Sequence, residues 1–187
     1  MTTFSTELTA KRLELLKELA PNLSRVALLH NLGNPAAPPE WEEMQMAARA
    51  LGLQTELLDV RSRGDLGLAF DRAVRQRVDA LVVGADGLTQ LHILFIVDSV
   101  ARNRLLASYP AREFVEAGGL IAYAINYPDL YFRLTSFIDK IFKGAKPGEI
   151  PVEQPTKFEL VINLGTAKAF GLTIPQSLLL RADELIQ

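Results

Sequence analysis

Cysteine is absent from the 187-residue chain. That excludes a disulfide framework, a thiolate metal site, an iron–sulfur cluster and a thiol nucleophile. Histidine is almost as scarce. His30 and His92 are the two present, and their separation matches no metal-ligand spacing. There is no basic excess: 20 Lys and Arg face 22 Asp and Glu, for a net charge of −2. The chain therefore lacks the electrostatic footprint of a nucleic-acid binder. No run reaches the roughly 18 to 20 apolar residues that a membrane span requires. The opening, MTTFSTELTAKRLELL, lacks the basic-then-apolar order of a signal peptide. Glycine-rich dinucleotide and phosphate loops are missing, as are the G-x-S-x-G elbow and anything resembling a catalytic triad. The expectation is a protein that is not an enzyme and uses neither metal nor cofactor.

Hydrophobic residues make up 49% of the chain and charged residues 22%, the values of a folded globular protein. Short apolar runs alternate with stretches of helical period. Strands are predicted at 25–30 (RVALLH), 54–60, 80–84 and 105–109. The intervals between them each fit one helix and two short loops, the rhythm of a parallel sheet covered by helices. VALL and ALVV are continuously apolar, as strands buried on both faces are. Helices are predicted at 9–20, 40–51, 65–77 and 90–103. Pro38 and Pro39 open the second, Gly52 closes it, and Asp65 suits the N-cap of the third. The apolar belt of the fourth, from Ile93 and Leu94 to Val100, is wide enough to imply cover on a second side. After Pro110 a Gly118-Gly119 turn leads to a strand at 120–125 and a long helix at 128–143. The Gly/Pro-rich segment GAKPGEIPVEQP follows as loop. A last strand, FELVIN at 158–163, precedes two short helices, with Gly171 between them as a C′ residue.

In open parallel sheets, ligands bind beyond the carboxyl ends of the strands. Those ends carry Asn31 and Asn34, Asp86 and Gly87, and Tyr109, an amide–carboxylate–phenol set suited to a small polar ligand. Each has a structural alternative. The asparagines suit an Asx-turn or a helix cap, Asp86-Gly87 suits a turn, and Tyr109 suits a rim position facing water. Arg112 is the candidate cation for a ligand carboxylate. His30, at the end of a buried strand, reads as a packing or hydrogen-bonded residue, and His92 as a surface or interface residue.

The runs AREFVEAGGLIAYAIN and KGAKPGEIPVEQPTKFELVINLGTAKAFGLTIPQSLLLRADELI resemble a bacterial family. It is the ABC-transporter substrate-binding proteins that include tryptophan- and tyrosine-binding members. The opening STELTAKRLELLKELAPNLSRVALLHN resembles the entry of that family's chain into its second lobe. The resemblance implies an α/β fold of the type I periplasmic-binding-protein kind, an open parallel sheet with helices on both faces. It implies a small organic ligand, such as an amino acid, clamped between two hinged lobes. It also implies a permease partner and a periplasmic or extracytoplasmic location.

By the same resemblance, residues 1–126 correspond to the second lobe. Residues 127–187 correspond to a crossover segment with FELVIN as its return strand. Asn31, Asp86 and Tyr109 then face the cleft, and 112–119 lies near the crossover. His30-Asn31-Leu32 replaces a Trp-Asn-Pro-like sequence, so that part of the pocket wall differs. The first lobe has no counterpart, so the chain is expected to be a truncated form. Its long helix is expected to expose apolar residues such as Phe132, Phe137 or Phe142 and to promote self-association. Two other classes fit less well. A sensing domain of a regulator or receptor wants a signalling module, and a flavodoxin-like enzyme domain wants a phosphate loop. The loop NLGNPAAPP holds one glycine against three prolines.

Overall fold

The computed structural model describes residues 6–151 and 153–187. Seven strands form a single sheet: β1 (Arg25–His30), β2 (Gln54–Asp59), β3 (Ala80–Val83), β4 (Leu106–Tyr109), β5 (Ile121–Ile125), β6 (Phe158–Asn163) and β7 (Glu184–Ile186). Their order is β2-β1-β3-β4-β5-β6-β7. The first five run parallel. β6 pairs antiparallel with β5, Ile121 opposite Ile162 through Ile125 opposite Phe158, and β7 runs parallel to β6. The sheet reverses its strand order beside β1, between β1 and β3, and a crevice is expected at the carboxyl edge there.

Alternation along the strands sorts the core into two layers. Ala27, Leu29, Leu81, Val83, Ala107 and Tyr109 point to one face. They meet α3 (Arg63–Arg75), α5 (Ile93–Arg102) and α6 (Arg112–Glu116). Val26, Leu28, Ala80, Val82, Ile121 and Ile162 point to the other. They meet α1 (Thr6–Leu19), α2 (Ala37–Ala50), α8 (Leu164–Ala169) and α9 (Gln176–Arg181). Cover on both faces is the physical reason β1 and β3 are apolar at every central position.

Local chemistry sets the helix ends. Gly52 and Gly171 adopt φ of 67° and 70° where α2 and α8 stop, a conformation that favours glycine. At α3 the N-cap is Ser62, not Asp65. Asp65 sits three residues on, and its Oδ2 accepts from the Ser62 and Arg61 N–H groups at 2.8 and 3.0 Å. The helix expected over 90–103 is broken at His92 into α4 (Gly87–Leu91) and α5. Thr89 pins the first piece by donating to the carbonyls of Gly84 and Asp86 at 3.0 and 2.9 Å. The second side of that apolar belt is not covered among the described residues: Leu91 is 81% and Leu94 75% exposed.

Between β5 and β6 the chain leaves the sheet. α7 (Tyr127–Phe142) is capped by Asn126, whose Oδ1 accepts from Asp129 N–H at 2.9 Å. Its apolar stripe loses cover along its length, from Leu130 at 8% exposed to Ile141 at 41%. No helix among the described residues is long and apolar enough to cross a membrane.

Candidate functional site

A depression of about 380 Å³ opens over the carboxyl edge of the sheet. The β1–α2 loop contributes Asn34 and Ala36. The turn after β3 contributes Ala85, Asp86 and Gly87, with Gln90 behind them on α4. Pro110 follows β4, while Ile125 and Tyr127 bracket the end of β5. Leu8 and Arg12 of α1 close the remaining side. The lining thus combines polar groups, Asn34, Asp86, Gln90 and Arg12, with apolar ones, Leu8, Ile125 and the Tyr127 ring.

The structure separates the six residues expected from sequence. Asn34, Asp86 and Gly87 share this wall. Asn34 Nδ2 donates to Asp86 Oδ2 at 2.8 Å, and Asn34 Oδ1 accepts from Ala36 N–H at 2.9 Å. Asp86 Oδ1 caps α4 by accepting from Leu88 N–H at 2.7 Å. A carboxylate has about four acceptor positions, so Asp86 keeps capacity for a further donor. Asn31 does not line the depression. Its Oδ1 accepts from Gly33 N–H at 2.8 Å, an Asx-turn that holds the loop.

Tyr109 is not a cleft residue. It points to the sheet face covered by α6, is fully buried and stacks on Phe114 with ring centroids 5.0 Å apart. Its hydroxyl has no partner among the described residues. Burial pushes its pKa well above the ordinary phenol value. Strand alternation decides the matter: Tyr109 shares the face of Ala107, and its neighbour Pro110 takes the place on the wall. Arg112 lies away from the depression as well. Its guanidinium is held by Glu116 at 2.9 Å and Glu184 at 2.7 Å, with Glu159 at 3.6 Å. The hydrogen bond to Glu116 and the other two carboxylates raise its pKa.

Behind the wall lies a buried polar group that the periodicity did not assign. Glu40 of α2 and His30 of β1 are both fully buried, with Oε2 and Nε2 3.3 Å apart. His30 Nδ1 accepts from Asn31 N–H at 2.8 Å, which leaves the ring proton on Nε2, facing Glu40. Thr9 donates to the same carboxylate at 3.2 Å. Arg12 is 1% exposed, and its Nε donates to the Tyr123 carbonyl at 2.9 Å. Burial lowers its pKa to about 10, opposed by the charge of Glu40 and by Tyr127 and Tyr123. One signal in the sequence pointed to it: Arg12 falls on the stripe of Leu8, Leu15 and Leu19, where a charge is out of place.

Comparison with known proteins gives this geometry its context. Residues 4–186 match the model of the ABC transporter substrate binding protein family. The chain belongs to that family. This substrate-binding-protein chain is 23% identical, over 163 residues, to the tyrosine-binding protein of Clostridioides difficile (strain R20291). That match takes in 87% of this chain and 47% of the relative, so the chain spans about half the relative's length. A solved ABC domain in complex with L-Trp from Streptococcus pneumoniae is 29% identical, with a TM-score of 0.87. It is matched over 95% of this chain and 60% of its own. A conserved domain protein of Vibrio cholerae, 22% identical, shares the fold with a TM-score of 0.86 over 95% of this chain and 60% of its own. The open sheet is that of the type I periplasmic-binding-protein kind.

Proposed function

We propose that this chain is the ligand-binding lobe of a solute-binding component of an ABC-type uptake system. It works outside the cytoplasm, performs no chemistry and delivers its solute to a membrane permease. The solute is a small organic molecule, an amino acid, held against the depression where Asn34 and Asp86 meet. The observation that carries this reading is the coupled Asn34–Asp86 pair lining a 380 Å³ depression at the carboxyl edge, in a chain of this family. Asp86 binds the ammonium group of the solute, and the ring of Tyr127 flanks its side chain. Residues 1–126 supply this lobe. The excursion that begins at 127 and carries α7 reaches toward a second lobe, and the bare stripe of α7 promotes self-association where that lobe is not present.

The test is Asp86→Ala in the full chain, titrated with L-tryptophan and L-tyrosine by amide chemical shifts. A charge-assisted hydrogen bond contributes roughly 1.5 to 3 kcal/mol, so affinity should fall at least about tenfold. Affinity within about twofold of the wild type would remove Asp86 from the site.

A further inference from the structure

We propose that the amino edge of the parallel sheet is a docking surface for the phosphate groups of an anionic lipid membrane. It is built from other residues than the solute depression and lies at the opposite edge, so the two readings stand or fall separately. The chain as a whole is slightly acidic, yet its arginines are gathered. Helices that connect parallel strands run back against them, so α2, α3 and α5 all end at the amino edge. Arg49 lies in the last turn of α2, Arg72 and Arg75 in that of α3, and Arg102 in that of α5. Carboxylates at this edge are committed elsewhere: Glu56 lies 3.7 Å from Arg72, Asp98 lies 3.0 Å from Arg102, and Asp79 accepts from Ser24 and Arg25. Arg49, Arg75, Arg77 and Arg104 are exposed and form no ion pair among the described residues, even with Asp71, one turn behind Arg75 on α3.

The same turn ends all three helices. Gly52 N–H donates to Arg49, Arg77 to Val74 and Arg104 to Ala101, and the next residue in each case closes the turn, Leu53 on Ala48, Val78 on Ala73 and Leu105 on Val100. The residue at the corner must take a positive φ, and does so at 67° in Gly52, 54° in Arg77 and 51° in Arg104. α2 places glycine there, which is at ease in that region. α3 and α5 place arginine, a side chain uncommon at positive φ. The helix dipoles do not call for it, because Arg72, Arg75 and Arg102 already stand in the last turns. The strained corners therefore add a cation to each of two neighbouring loops, those entering β3 and β4, whose strands lie about 4.8 Å apart.

The arrangement fits a charged plane better than one enclosed anion. The unpaired arginines lie at both faces of the sheet, since α2 covers one face and α3 and α5 the other. The depression of about 760 Å³ at this edge includes Arg25, Arg75 and Arg77, and no apolar side chain lines it. A protein partner would want an aromatic or aliphatic anchor there. An array of lipid phosphates requires spread positive charge, which this edge supplies. Contact here leaves the depression at the carboxyl edge open to its solute.

The experiment is co-sedimentation of the full chain with vesicles of phosphatidylcholine, with and without phosphatidylglycerol. The wild type should bind the phosphatidylglycerol vesicles at least about tenfold more strongly than the neutral ones, and added salt should shrink the difference. Arg77→Gly with Arg104→Gly removes both corner charges and gives each turn the residue it favours, so the fold is not put at risk. Binding to the anionic vesicles should fall at least about fivefold in that variant. Arg77→Lys with Arg104→Lys should hold it within about twofold, since the membrane reads charge. Arg61→Gln with Arg63→Gln removes the same charge from the carboxyl edge, at the start of α3, and should change it by less than about twofold. An equal loss in the carboxyl-edge and corner-glycine variants would reduce the effect to net charge and overturn the proposal. Equal binding to neutral vesicles, the behaviour expected of the apolar stripe of α7, would overturn it too. So would release from the vesicles by inorganic phosphate at constant ionic strength, the mark of a single-anion site, or duplex DNA bound as tightly as the vesicles.

Discussion

The imidazole of His30 lies directly over Gly84, so that a Cβ built on that glycine would overlap the ring. The ring cannot swing away freely, because one nitrogen accepts from Asn31 N–H and the other faces the buried Glu40. Gly84 is the residue after β3, beside β1, where the sheet reverses its strand order. Replacing it with alanine forces either the ring or the turn carrying Asp86 to move. Overpacking of this kind typically costs about 1–3 kcal/mol. Gly84→Ala should therefore lower the urea midpoint and weaken L-tryptophan binding together. An unchanged midpoint would mean that the His30 ring is free to relocate.

Tyr109 gives a prediction of opposite sign. Its hydroxyl is buried and unpartnered among the described residues, so the folded state gains nothing from it and bears its desolvation. Tyr109→Phe should leave the thermal midpoint unchanged or raise it, and should leave ligand affinity untouched. Weaker L-tryptophan binding in that variant would return the phenol to the site.

Acid sensitivity should arise in part at the opposite edge of the sheet. Asp79 Oδ2 accepts from the Ser24 N–H, the Ser24 hydroxyl and the Arg25 N–H at 2.9, 2.8 and 2.8 Å, tying the start of β1 to that of β3. Partial burial pushes its pKa up, but these donors and the Arg25 charge outweigh it and hold the group below the ordinary value of 3.8. A carboxylate depressed in the folded state stabilises above its unfolded pKa, and that contribution is lost as pH falls through the folded one. The stability gap between wild type and Asp79→Asn should be widest near neutrality and narrow below about pH 4. A gap constant from pH 7 to pH 2 in denaturant titrations would show that ionisation of Asp79 has no part in it.

The outer side of α7 is the largest departure from a covered core. Tyr131, Phe132, Ile138, Ile141 and Phe142 are all exposed, and Phe132 and Phe142 are 78% and 86% accessible. The wild type should bind an apolar fluorescent dye in its folded state and sediment with a mass that rises with concentration. Phe132→Ser with Phe142→Ser should reduce both without lowering the thermal midpoint, since neither ring contributes to the core. A monomeric wild type that binds no dye would remove self-association through this helix.

The five parallel strands were legible because their residues obey simple rules: RVALLH, QTELLD and ALVV are apolar or alternating at the spacing of βα units, and glycines and prolines punctuate them. Three short elements were not. β7, α4 and α6 hold three, five and five residues, too few for a period to register. They exist because neighbours hold them: β7 by pairing with β6, α4 by the Asp86 cap.

Alone, the sequence determined the alternation of strand and helix and the faces that must be buried, since each follows from local periodicity, and chain direction picked out the carboxyl edge that carries the depression. Tertiary structure alone decided which side chains reach that edge. Asn31 turned back on its own loop, Tyr109 went under the sheet by strand parity, and Arg112 was captured by Glu116 of its own helix and by Glu159 of β6 and Glu184 of β7. Arg12, a lone charge on an apolar stripe, was brought to the wall from the first helix. The capture of Arg112 by β6 and β7 and the seating of Arg12 on the Tyr123 carbonyl depend on contacts between residues far apart in the chain, and no local pattern encodes which distant partner a side chain will meet.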